Sequence, residues 1–164
     1  MQTLKPLSPL LCLFTTLCLC ACGSDGGDNS PPTNTAPELQ TGSHNAGQNC
    51  MSSSCHDGNH ESATAFTVAG TIYSSGTNIQ PNATVRLYIH NTNTLVAELN
   101  TDASGNFYTS DAIDGLADGS GALVSGADVE VEGPSGNIRA MPGLITSGAC
   151  SGCHGQSNRR VTVN

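Results

Sequence analysis

PNATVRLYIHNTNTLVAELNTDASGNFYT, residues 81–109, carries the pattern that decides the fold. Val85, Leu87 and Ile89 alternate with Arg86, Tyr88 and His90, and Leu95, Ala97 and Leu99 repeat the alternation a few residues later. A period of two puts successive side chains on opposite faces, so each run predicts a strand with one face buried and one exposed. Working outward, Phe66, Val68, Gly70 and Ile72 alternate with Thr67, Ala69, Thr71 and Tyr73, and Val129 and Val131 stand against Asp128, Glu130 and Glu132. Shorter signals occur at residues 106–109, 137–140 and 160–163. Six or seven short strands separated by Gly, Asn, Pro and Ser turns predict a mainly-β chain, a small antiparallel β-sandwich over residues 66–141, with no helix longer than a turn or two.

Three pieces, VAGTIY (68–73), PNATVRLY (81–88) and TDASGNFYT (101–109), resemble the carboxypeptidase-regulatory-like, transthyretin-like branch of immunoglobulin-like sandwiches. The resemblance spans Phe66 to Gly133. It implies that Asp102 and Gly105 form a turn, that Phe107 is the core anchor after it, and that the domain is a scaffold without catalysis. The sequon Asn82-Ala83-Thr84 reads as a turn leading into a strand.

The chain has 164 residues, no Trp, three Phe and three Tyr, so its core is thin and an added stabiliser such as a disulfide, metal or cofactor is expected. Residues 1–21 combine Lys5, an apolar run from Leu10 to Leu19 and Ala21 before Cys22. The run is too short to span a bilayer and predicts a cleaved export signal. Leu19-Cys20-Ala21-Cys22 resembles the lipobox of bacterial lipoproteins. That likeness implies a lipid on Cys22 and, with Gly23 rather than Asp following it, the outer membrane; an ordinary secretory signal cleaved near Ala21 is the alternative. Residues 22–43 hold almost nothing to bury and predict a flexible linker, with a root-mean-square span of about 25 Å.

All thirteen acidic residues follow position 24, and after the signal only Arg86, Arg139, Arg159 and Arg160 are basic, a balance of about −9. That excess argues against nucleic-acid binding and predicts redox partners with a basic docking face, with membrane contact only through the lipid anchor. No oligomerisation signal is written in the chain.

Of eight cysteines, Cys12, Cys18 and Cys20 lie in the signal and Cys22 is the lipidation candidate, which leaves two close pairs. Cys150-Ser151-Gly152-Cys153-His154 is C-x-x-C-H, the pattern of c-type haem attachment. Its spacing serves one object: two thiols bond the vinyl groups on one porphyrin edge, and the next imidazole reaches the iron. Cys50-Met51-Ser52-Ser53-Ser54-Cys55-His56 is C-x4-C-H. It resembles the expanded motif of some multihaem cytochromes of sulfate-reducing bacteria, with two extra residues looping out. Only five His occur, yet one follows the second Cys of both pairs. That coincidence has odds on the order of one in a thousand, which relates the two motifs to each other. Structural disulfides and a Zn site remain alternative readings of the same residues.

Two haem c groups are therefore expected, one in a segment at 44–65 held by Cys50 and Cys55, the other in a segment at 142–164 held by Cys150 and Cys153. His56 and His154 are the proximal iron ligands by position. Distal candidates are His44, His60, His90, Met51 and Met141; the choice falls on His44 for the first iron and Met141 for the second, each twelve or thirteen residues upstream of its proximal His. His60 follows His56 too closely to cap the same iron, and Met51 sits inside its own binding loop. The expected function is that of an exported, lipid-anchored dihaem c-type cytochrome, an electron carrier and not an enzyme. A haem-based sensor or peroxidase-like protein with an open iron site is one alternative. A non-haem structural or adhesive surface lipoprotein with disulfides is another.

Overall fold

The computed structural model describes residues 42–59 and 63–164. The predicted signal, Cys22, most of the predicted linker and His60 lie outside these described residues. Nine strands and one helical turn follow in order: β1 (Val68–Thr71), β2 (Tyr73–Ser75), β3 (Asn78–Ile79), β4 (Thr84–Ile89), β5 (Leu95–Asn100), β6 (Asn106–Thr109), β7 (Ala127–Glu132), β8 (Ile138–Ala140), β9 (Gly148–Ala149) and α1 (Cys150–Cys153). One sheet runs β5-β4-β7-β8, wholly antiparallel; a second runs β6-β1-β9, with β1 antiparallel to β6 and parallel to β9; β2 and β3 form a hairpin. The protein is mainly β, as the alternation predicts.

The core lies where these sheets face each other. Val85 and Leu87 of β4 and Ala127 and Val131 of β7 meet Val68 of β1 and Phe107 of β6, with Ile72, Ala83, Ile113, Leu116 and Val163 closing the ends. On β4 the predicted parity holds: Val85 and Leu87 are buried, while Arg86 turns outward between Glu98 of β5 and Glu132 of β7, at 2.7 and 2.6 Å. The Asp102–Gly105 turn forms as expected. Asp102 Oδ1 accepts from the Ser104 and Asn106 amides, Gly105 takes the left-handed φ of +72°, and Phe107 is buried immediately after.

Four expectations give way. The strand at 66–73 was to have one exposed face, but all four residues of β1 are buried. Its outer face is covered by the segment before Cys50, whose Gly47 amide donates to Thr71 Oγ1, while α1 packs on the core side, where a Cβ on Gly70 would come within 2.9 Å of Cys150 Cβ. On β5, the register slips between Leu87 and Tyr88, a bulge that leaves Leu95 exposed and turns Val96 toward the core. Residues 160–163 make no strand of their own, yet the Val161 carbonyl and the Val163 amide bond Tyr73 on either side. The linker gives way before Ser43, because the Ser43 amide donates to Asp102 Oδ2 and its hydroxyl accepts from Asn106 Nδ2.

Candidate functional site

The two Cys–His motifs lie on either side of β1, the segment leading into the first on its outer face at Thr71 and the second on its core side beside Gly70. β9 pairs with β1 through Val68↔Gly148 and Ala69↔Ala149, and α1 begins at the next residue, Cys150. One helical turn brings Cys150 and Cys153 to the same side. The first motif precedes β1, and the two segments touch: a Cβ on Gly152 would lie 3.3 Å from Asn49 Nδ2.

The motifs differ in length but close in the same way. In the second, the His154 amide donates to the Cys150 carbonyl at 2.9 Å; in the first, the His56 amide donates to the Cys50 carbonyl, also at 2.9 Å. The two extra residues of the first are absorbed by a turn, with Ser52 N bonded to the Asn49 carbonyl and Cys55 N to the Ser52 carbonyl. The imidazoles are also held alike. His56 Nδ1 lies 2.9 Å from the Thr64 carbonyl, and His154 Nδ1 lies 2.8 Å from the Arg159 carbonyl. A carbonyl oxygen only accepts, so each Nδ1 carries a proton, and in the neutral ring the lone pair is then on Nε2. This is the orientation and tautomer that a metal-ligating His requires, with its second nitrogen fixed by a backbone acceptor.

All four thiols are free. Burial pushes the Cys50 thiol up, with the neighbouring Cys55 adding to the effect. Burial pushes the Cys150 thiol up to about 11. Among the described residues no three His, Cys, Asp or Glu side chains gather as a metal cluster, so the Zn reading lacks a converged ligand set.

At the first site the two predicted imidazoles come together. The His44 and His56 ring centroids are 6.4 Å apart. Two imidazoles on opposite sides of one metal, each at about 2 Å from it, have centroids roughly 6 Å apart. Phe66 stacks on His56 at 3.9 Å and Tyr108 on Phe66 at 4.8 Å. Neither aromatic was singled out from the sequence as a site residue, and their only signal there was position on predicted strands.

At the second site, Cys150, Cys153, His154 and Met141 line one cleft of about 450 Å³, within the size range of small-molecule and cofactor sites. Its floor is the open edge of the sandwich core, Ile72, Val85, Phe107 and Val131, and its rim carries Arg139, Arg159 and Arg160. The arginines were read from sequence only as part of the net charge. His90 joins neither site; its Nδ1 pairs with Asp128 Oδ1 at 2.7 Å. Compared with known proteins, the chain matches no family, no curated protein and no solved structure.

The residues fit the group that the motifs imply. Each site offers two free thiols, an imidazole with its Nε2 available and a second donor nearby, and the second adds an apolar cleft.

Proposed function

We propose that the protein is an exported, lipid-anchored dihaem c-type cytochrome that carries electrons. The observation that supports this most is the shared closure of the two motifs, in which His amide meets first-Cys carbonyl and imidazole Nδ1 meets a downstream carbonyl. Two unrelated disulfide loops have no reason to share both bonds.

Haem, when bound, supplies a one-electron iron couple whose potential is set by its axial ligands and surroundings. The chain's part is to hold and tune it. Cys50 and Cys55, and Cys150 and Cys153, would bond the two porphyrins, with His56 and His154 as proximal ligands. Thr64 and Arg159 carbonyls fix the tautomer of those imidazoles and raise their basicity. His44 would give the first iron a second nitrogen, and Met141 would give the second iron a sulfur, which would raise its potential relative to the first. Phe66 fixes the His56 ring plane by stacking.

Among the described residues, no imidazole other than His154 lines the cleft. Met141 would therefore be the second donor to that iron, and a sensor or peroxidase-like role becomes the reading if Met141 does not ligate.

The protein, matured in a host with haem-attachment machinery, is expected to take up two electrons per chain in a reductive titration. Cys150→Ser/Cys153→Ser and Cys50→Ser/Cys55→Ser should each remove one. Uptake unaffected by either pair of substitutions overturns the proposal.

A further inference from the structure

The charge of the folded molecule is sharply segregated. Of the four arginines outside the signal, Arg86 is neutralised by Glu98 and Glu132. The other three, Arg139, Arg159 and Arg160, all line the cleft that holds Cys150, Cys153 and His154, and no Asp or Glu lines it. None of the three forms an ion pair among the described residues. All three are exposed at the rim. Arg139 lies directly opposite the buried Val131 on the neighbouring strand, so the two share the cleft side of the sheet. Arg160 is propped over the Tyr73 ring at 5.2 Å.

An acidic chain that gathers its unpaired cations at one opening builds a local field opposite to its net charge. Fields over a distance of about 10 Å, the screening length near 0.1 M salt, are set by such nearby groups and not by the molecular total. A haem carries two carboxylates and the rim carries three guanidinium groups, so the rim stays cationic when the cleft is filled.

We propose that the Arg139–Arg159–Arg160 rim is the docking surface for an acidic redox protein that exchanges electrons with the second haem. This rests on the dihaem reading above. It reverses, at this one face, the basic partner that the overall charge predicts.

The test uses the full haem-loaded protein and small ions as stand-ins for the partner. Redox-inert hexacyanocobaltate(III) should bind, as read by calorimetry, and Arg139→Gln/Arg159→Gln/Arg160→Gln should abolish the binding. In stopped flow, one electron passes from ferrous iron to hexacyanoferrate(III), giving ferric iron and hexacyanoferrate(II) with no proton moved. That rate should fall severalfold as salt rises from about 10 to about 500 mM, because attraction is being screened, and the slope should reverse in the triple variant. Absent anion binding, or a rate that rises with salt in the unsubstituted protein, overturns the docking proposal while haem content measured on the same sample stays at two. A sample lacking the second haem overturns both proposals. Each rim residue is exposed, so the triple variant is expected to keep its fold; a melting temperature within a few degrees of the parent checks this.

Discussion

Cys150 shows how burial sets the chemistry of a single atom. Its thiol ionises at about 11 in the fold, against an ordinary value near 9, because the sandwich edge excludes water from the thiolate. The folded chain then retains a proton that the unfolded chain has released. Its contribution to stability is fully present below about pH 9 and is lost as pH rises toward 11. Two units correspond to a loss of up to about 3 kcal/mol. Urea midpoints of the haem-free chain should therefore fall between those pH values more than those of Cys150→Ala. The haem-bound chain, whose thioether has no proton to lose, should not show the extra fall. An identical pH response in all three would show that burial of this thiol is not felt by the fold. The same residue scale marks the limit of the sequence. Cys150, Cys153 and His154 announce themselves by spacing, whereas the Thr64 and Arg159 carbonyls that orient the imidazoles are backbone atoms, and no residue identity encodes them.

Among the elements, β1 is the hinge of the account. Its outer face carries the segment leading into the first motif, and its core face meets both Phe107 and Cys150 of the second. Gly70 sits where both press closest, with an added Cβ 2.7 Å from the Phe107 ring and 2.9 Å from Cys150 Cβ. Gly70→Ala should cost about 1–3 kcal/mol by overpacking and should lower haem occupancy at Cys150 and Cys153 more than at Cys50 and Cys55. An unchanged melting temperature would mean that β1 and α1 are not in tight contact. β4 was legible at Val85 and Leu87, where its alternation reflects one core and one solvent face, while Ile89 at its end is only half-buried. β1 was not, because the cover on its outer face comes from a segment about 20 residues before it in the chain. The bulge at β5 escaped for a similar reason: one extra residue inverts parity without altering composition. The parallel pairing of β9 with β1 likewise leaves no periodic trace in two residues.

For the whole molecule, charge and placement matter more than any one contact. A sequence balance near −9 is an average, and folding gathers three arginines at the cleft while Arg86 is sequestered between two glutamates. The sum was legible in the sequence but its distribution was not, since Arg139 is brought beside Arg159 and Arg160 by β8 and the C-terminal return along Tyr73. A thin sandwich core with three Phe and no Trp would gain from the two covalently held groups proposed on either side of β1. The proposed lipid on Cys22 would keep this domain local to a membrane while the linker lets it reach partners. The most direct measurement is the intact mass of the mature chain, purified from a haem-attaching host, with its pyridine haemochrome spectrum. The account predicts a gain of two haems per chain and the absorbance of two thioether-linked haems. A colourless protein with no added mass would contradict it.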